Sequence, residues 1–177
     1  MSRTLRTALP TLLAGGLLVG GLDAIDAIVF FGARGASPAR IFQSIAAGLL
    51  GRDAAFGGGA PAVLLGGFLQ LFNGFLVVLA YFLISRALPV LVARPVLGGL
   101  VYGPLVHLFM TYVVIPLSAI HRTPPMPLPV MLNGLIGHAL LVGLPAAFAA
   151  RAAGRPSAGG AEDSRPWAPT PAESSRT

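Results

Sequence analysis

Ionisable side chains occur inside the long apolar stretches of this chain, where they could handle protons or ions. Asp23 and Asp26 lie three residues apart in the first stretch, and His107 and His138 lie singly in two later ones. Such groups are costly in hydrocarbon and rare, so they are the first place to look for function. Two carboxylates on one helix face disfavour double ionisation, and a proton held there could pass to a histidine. These residues therefore form a candidate proton or ion path.

Two other interpretations of the polar residues stay open. His107 and His138 lie on consecutive predicted helices, so together with carboxylates they could ligate haem or a metal ion. No cofactor is predicted outside that alternative. Polar side chains can also bond one membrane helix to another, each such bond contributing about 0.6 kcal/mol. The amides of Gln70, Asn73 and Asn133 suit this interhelical hydrogen bonding.

The sequence contains no pattern typical of an enzyme. No serine, histidine and acid arrangement and no external carboxylate pair stands out, so no catalytic residue is assigned. Gly57-Gly58-Gly59 lacks the lysine and the preceding strand of a phosphate-binding loop and is interpreted as a hinge. The chain has no cysteine, which excludes disulfides, thiolate metal sites and thiol nucleophiles. The sequence thus favours a protein that is not an enzyme.

The composition places the polar residues in a membrane. Of the 177 residues, 55% are hydrophobic and only 10% are charged, and the mean hydropathy is +0.79. A soluble domain of this size has no way to bury so much apolar surface. Apolar windows of roughly 20 residues, long enough for a core of about 30 Å, predict an all-α membrane protein, a bundle of four transmembrane helices. The predicted spans are residues 8–31, 61–84, 95–117 and 128–150, within one transmembrane domain of residues 1–151.

The first predicted outer loop contains a further short helix. Ser37 and Pro38 form a helix start and Gly51 a helix end, so residues 38–50 are predicted to be helical. The predicted apolar face consists of Ile41, Phe42, Ile45, Ala46, Leu49 and Leu50, opposite Arg40, Gln43, Ser44 and Ala47. The segment is too short to cross a bilayer, so we expect an amphipathic helix that lies in the interface or dips into it. A plain amphipathic connector that packs on the bundle is the alternative.

The charged residues concentrate in loops and at the chain ends. The formal net charge is +6 and every basic side chain is arginine. We interpret this charge as a sign of membrane topology and predict no nucleic-acid partner. The arginine bias between the two sides favours cytoplasmic placement of both termini. Residues 152–177 are rich in Ala, Gly, Pro, Ser and charge, which predicts a disordered cytoplasmic tail.

Glycines accompany the polar residues at helical spacing. They are Gly16 and Gly20 before Asp23, Gly99 and Gly103 before His107, and Gly134 and Gly137 before His138. Small residues mark close helix packing in a bilayer, so the polar groups are predicted to point into the bundle. A rise of about 1.5 Å per residue puts them in one layer from the middle to the outer half of the membrane. The same glycine spacings permit a homo-oligomer.

The second half of the chain carries short motifs of a known group. They are Leu88-Pro89, Gly98-Gly99, Ile115-Pro116-Leu117, Thr123-Pro124-Pro125 and Gly137-His138. In these motifs the stretch from Tyr81 to Arg151 resembles the YagU-like group of uncharacterised bacterial inner-membrane proteins. The resemblance implies a small multipass protein of the cell inner membrane and brings no catalytic residues. We therefore expect a structural or accessory membrane protein with a polar intramembrane layer, with a proton or ion transporter and a haem- or metal-binding subunit as the alternatives.

Overall fold

The described part of the chain is helical throughout its regular elements. The computed structural model describes residues 3–121 and 126–154. Its helices are α1 (Arg3–Gly32), α2 (Pro38–Leu50), α3 (Arg52–Gly57), α4 (Gly59–Ala87), α5 (Val90–Ala93), α6 (Pro95–Leu117) and α7 (Leu128–Ala153). Four of them, α1, α4, α6 and α7, are long and apolar enough to cross a membrane. The predicted all-helical chain with four such helices is confirmed.

The four long helices expose apolar side chains on their outer faces. They contain 30, 29, 23 and 26 residues. At about 1.5 Å per residue they measure roughly 35–45 Å, more than the 30 Å or so of a hydrocarbon core. Leu64 and Leu117 are 74% and 80% exposed, which suits contact with lipid and not with water. The chain is therefore a multipass membrane protein by length and composition of its helices.

Close helix crossings occur where glycine leaves room for a neighbouring backbone. At the crossing of α1 and α4, a Cβ on Gly16 would lie 2.5 Å from Cα of Phe75, and one on Gly20 would lie 3.0 Å from the carbonyl oxygen of Gln70. At the crossing of α6 and α7, a Cβ on Gly99 would lie 2.7 Å from the carbonyl oxygen of Gly143. A Cβ on Gly103 would overlap the carbonyl of His138. These predicted packing positions thus lie at the helix crossings inside one chain.

A π-helical segment widens each of the last two long helices. The segments are Met110–Val114 in α6 and His138–Gly143 in α7. Each ends directly before an Ile-Pro or Leu-Pro pair, at Pro116 and Pro145. A proline ring clashes with the carbonyl one turn earlier, and a wider turn relieves that clash. The second segment begins at His138 and so sets the position of a candidate site residue.

Helix α2 packs on the bundle through residues of both its predicted apolar face and the opposite face. Its buried residues are Ile41, Gln43, Ala46 and Ala47, whereas Leu49 and Leu50 are 63% and 43% exposed. The backbone of Phe42 lies against Gly66 of α4, and the small residues pack against Ala55 of α3. Close backbone approach therefore selects the small residues for burial and turns part of the apolar stripe outwards. The helix ends follow the prediction, since Ser37 Oγ accepts a hydrogen bond from Arg40 N at 3.3 Å.

The predicted tail falls largely outside the described residues. Helix α7 continues to Ala153, so the first two residues of the predicted tail are helical. Residues 155–177 lie beyond the part of the chain that the structure describes, as does the Thr123-Pro124-Pro125 turn.

Candidate intramembrane binding site

Asp23 connects three helices at the centre of the candidate site. Its Oδ2 accepts a hydrogen bond from Gln70 Nε2 of α4 at 2.8 Å. The same amide nitrogen donates to the carbonyl oxygen of Gly20 at 3.2 Å. On the other side, Asp23 Oδ1 lies 3.9 Å from His138 Nε2 of α7. Gln70 is only 8% exposed, whereas the Asp23 side chain is partly buried, so a buried amide holds one carboxylate oxygen and leaves the other facing the histidine.

Asp26 is held in the same way from the opposite direction. Its Oδ2 accepts a hydrogen bond from Asn133 Nδ2 of α7 at 2.8 Å. The close approach depends on Gly137, since a Cβ there would lie 3.1 Å from that same oxygen. Each aspartate of α1 therefore bonds to an amide from another helix. Two of the predicted interhelical amides, Gln70 and Asn133, make these bonds.

The two histidines form a pair beneath the carboxylates. The ring centroids of His107 and His138 are 4.7 Å apart and the rings meet edge to face at 61°. Gly134 makes the room, because a Cβ on it would overlap the His107 imidazole. His107 Nε2 and His138 Nδ1 are buried and have no hydrogen-bond partner among the described residues. A buried polar atom without a partner is costly, so the pair is incomplete without a further group.

A cavity joins these side chains to the outer face of the bundle. Its volume is about 440 Å³, and its polar walls are Asp23, Asp26, Gln70, His107, Asn133 and His138. Apolar and aromatic side chains from the ends of α1, α2 and α7 line the rest, among them Phe31, Ile41 and Val130. The cavity therefore combines a charged floor with an apolar wall and lies at the end of the bundle that carries α2 and α3.

Among the described residues, the arginine that lines this cavity is Arg40, at its rim. Among the described residues, no arginine lies within ion-pair distance of either aspartate, and the single recorded contact is that of Asp23 with His138. Arg40 lines the cavity but is exposed, with its guanidinium 4.8 Å from the ring centroid of Phe56. The carboxylates thus have amide partners and no arginine partner among the described residues, and His138 is the basic side chain nearest to Asp23.

Asn73 differs from the other polar residues. It borders two neighbouring cavities instead of the main one and makes no hydrogen bond within the part of the chain described. The predicted interhelical bond of Asn73 is therefore absent there, because its helix turn places it beside Met110 in a cavity of about 410 Å³.

The metal interpretation gains no support from the geometry, since no three His, Asp or Glu side chains of the described residues converge as ligands.

The contribution of α2 and α3 to the site could not be predicted from spacing. Arg40, Ser44, Ile45 and Phe56 line the cavity, although all lie in the loop between the first two spans. Helical periodicity relates residues within one helix and gives no position for a short loop helix against the bundle. The one available signal was the helix start at Ser37, which predicted the helix but not its packing.

The chain matches no protein-family profile, no curated protein and no solved structure.

Proposed function

We propose that this chain is a small multipass protein of a bacterial inner membrane that exchanges protons through its acidic cavity. The observation that carries the proposal is the convergence of Asp23, Asp26, His107 and His138 on one cavity of about 440 Å³. Intramembrane ionisable residues that face a cavity are typical of proton and ion pathways. Arginines near the helix ends favour cytoplasmic termini, and the cavity would then open to the outer side.

The order of the groups suggests a path for the proton. Asp23 Oδ1 and His138 Nε2 are 3.9 Å apart, so a small movement or one water molecule would complete a hydrogen bond. The ring contact between His138 and His107 extends the path to a third helix. Histidine can relay a proton between its two ring nitrogens, and His107 Nε2 and His138 Nδ1 have no hydrogen-bond partner among the described residues. Protons would therefore pass from the carboxylates to the histidine pair.

An accessory role is the second candidate, and a specific observation favours it. The bonds from Gln70 to Asp23 and from Asn133 to Asp26 tie α4 and α7 to α1. Bonds of this kind hold membrane helices together with no transport at all. On this alternative the polar layer stabilises the bundle, and the protein serves as a structural partner of other membrane components.

Proton flux into vesicles separates the two candidates. Purified protein is reconstituted into liposomes that contain a pH-sensitive dye, and a potassium diffusion potential drives protons inwards. We expect flux for the wild type and a loss of most of it for Asp23→Asn and His107→Gln. Asp23→Asn keeps an oxygen that can accept from Gln70, so the interhelical bond survives while the charge is removed.

Matched controls replace one aspartate and one histidine outside the cavity. Asp53→Asn lies in the first turn of α3 and His121→Asn in the loop after α6, and both residues are exposed. They are expected to keep the flux of the wild type. Wild-type vesicles that acidify no faster than empty ones would remove the transport proposal and leave the accessory role. Loss of flux in the control variants would show that the assay does not report on the cavity.

A further inference from the structure

We infer that the cavity binds an amphipathic organic cation, a molecule with one positive charge and a compact apolar body. The inference rests on the proposed function, because it names the solute that would be exchanged against protons. A proton path alone does not require the space observed. The cavity volume of about 440 Å³ is more than ten times the roughly 30 Å³ that a water molecule occupies in the liquid. It lies in the range of about 300–1,000 Å³ that is usual for small-molecule sites.

The charge on the floor of the cavity selects a cation. Asp23 and Asp26 each use one oxygen for an amide, and the other oxygen accepts no hydrogen bond from the described residues. No arginine of the described chain pairs with them. Both carboxylates are partly buried, and charges withdrawn from water are normally paired, so they leave a place for positive charge, from protons or from a ligand. A bound cation and bound protons would therefore compete for the same oxygens.

The walls of the cavity select an apolar body. Phe31, Ile41, Ile45 and Val130 face the space between the carboxylates and the outer face. The ring of Phe31 carries no arginine within the described residues, whereas Phe56 is covered by Arg40 and Arg52 at 4.8 and 5.7 Å. Phe31 meets Phe30 at 90° with ring centroids 5.1 Å apart and also lines the cavity, where its ring could make a cation–π contact with a ligand ammonium group. A hydrated inorganic ion would leave this apolar wall without a partner.

Arg40 decides between a cation and a zwitterion. It lines the rim of the same cavity as the carboxylates. For a simple cation, Arg40 is a like charge that weakens binding. For a ligand with an additional acidic group, Arg40 would be the partner of that group and would strengthen binding. The engagement of its guanidinium by the Phe56 ring favours the first arrangement, in which Arg40 is held at the wall.

The test is direct binding to the purified full-length protein in detergent, measured by titration calorimetry. The probe is benzyltrimethylammonium, which has a permanent charge and no proton to lose. Tetramethylammonium has the charge without the apolar body, and benzylsulfonate has the body with the opposite charge. We expect tetramethylammonium to bind at least about tenfold more weakly than the probe and benzylsulfonate not to bind. This comparison uses the wild type alone and so does not depend on the folding of any variant.

The variants assign the binding to the cavity. Asp23→Asn and Asp26→Asn are each expected to weaken binding of the probe by about ten- to a hundredfold, as for loss of a charged contact. Asp53→Asn, the matched exposed control, is expected to leave it unchanged. Arg40→Gln is expected to strengthen it by about two- to fivefold, the range for an exposed charge. Equal binding of benzylsulfonate, unchanged binding in the Asp23 and Asp26 variants, or weaker binding after Arg40→Gln would each overturn the inference.

Comparison with the vesicle experiment separates this inference from the proposed function. Proton flux that depends on Asp23, without any binding of benzyltrimethylammonium, would overturn the cation site and leave proton exchange standing. Binding that depends on both aspartates, without any proton flux, would establish the cation site and overturn transport. If both proposals hold, addition of the probe to weakly buffered acidic protein is expected to release protons. This release of protons is expected to be absent in Asp23→Asn.

Discussion

The bond between Asp26 and Asn133 tests whether the carboxyl group carries a charge inside the bundle. Asn133 Nδ2 donates to Asp26 Oδ2 at 2.8 Å across the contact of α7 and α1. Side-chain hydrogen bonds between membrane helices contribute about 0.6 kcal/mol on average. A hydrogen bond to an ionised group contributes more, about 1.5–3 kcal/mol. The two protonation states of Asp26 therefore predict different coupling energies between these residues.

A double-mutant cycle measures that coupling. It compares the wild type with Asp26→Ala, Asn133→Ala and the double variant, and the unfolding free energy of each is measured by titration with dodecyl sulfate in mild detergent. Asp26 is partly buried and lines the cavity. The cation site requires a charged carboxylate, so the expected coupling is about 1.5–3 kcal/mol, the range for a hydrogen bond to an ionised group.

The control cycle measures the coupling of Asn133 with Asp53 instead of Asp26. Asp53 is an exposed aspartate in the first turn of α3. Distant residues are additive within about 0.5 kcal/mol, so the coupling of Asp53 with Asn133 is expected to be no larger than that. A coupling of Asp26 with Asn133 no larger than the control would refute the bond itself. A coupling near 0.6 kcal/mol would refute a charged carboxylate and, with it, the electrostatic basis of the cation site.

Three further predictions concern the glycines and the loop helix. Gly66→Ala is expected to cost about 1–3 kcal/mol of unfolding free energy, because its Cβ would meet the backbone of α2. A Cβ on the adjacent Gly67 would have no heavy atom within 4 Å, so Gly67→Ala is expected to be neutral or to stabilise the fold by up to about 1 kcal/mol. Equal losses of unfolding free energy in the two variants would contradict the packing of α2. Gly134→Ala is expected to displace the imidazole of α6 and to slow proton flux with an unchanged helical circular dichroism spectrum. Because the chain has no cysteine, single spin labels can be placed at will, and a label at Leu49→Cys is expected to be more accessible to oxygen than one at Ile41→Cys.

The number of helices long enough to cross a membrane could be predicted, because the length and composition of such a helix depend on the bilayer alone. A stretch that must cross about 30 Å of hydrocarbon needs roughly 20 apolar residues, whatever it packs against. The span predicted at residues 61–84 lies within α4, which extends further at both ends. The span predicted at residues 128–150 lies within α7, which extends further at its carboxyl end. The extra turns include Arg86 and Arg151, which windows of apolar residues leave out.

The residues of the site were easier to predict than their contacts. Glycine and polar residues at helical spacing pointed to shared faces, and the structure brings Asp23, Gln70 and His138 together from three of those faces. The spacing of residues within a helix does not give the rotation of that helix relative to its neighbours. The lack of a hydrogen bond from Asn73 to the other described residues therefore could not be predicted. The residues by which α2 packs on the bundle could not be predicted for a related reason. Hydrophobicity ranks side chains by their transfer from water, whereas a close backbone crossing selects small ones.

The charge balance of the polar layer argues against a purely structural role. A network that only holds helices together reaches its lowest free energy when every buried polar group has a partner. Here the amides of Gln70 and Asn133 satisfy one oxygen of each aspartate, yet two imidazole nitrogens stay without partners in the described chain. Neither carboxylate has an arginine partner there, and Asp23 lies 3.9 Å from His138. An amide pair would tie the helices equally well without that electrostatic cost, and this is the physical ground on which we propose a positively charged occupant for the cavity.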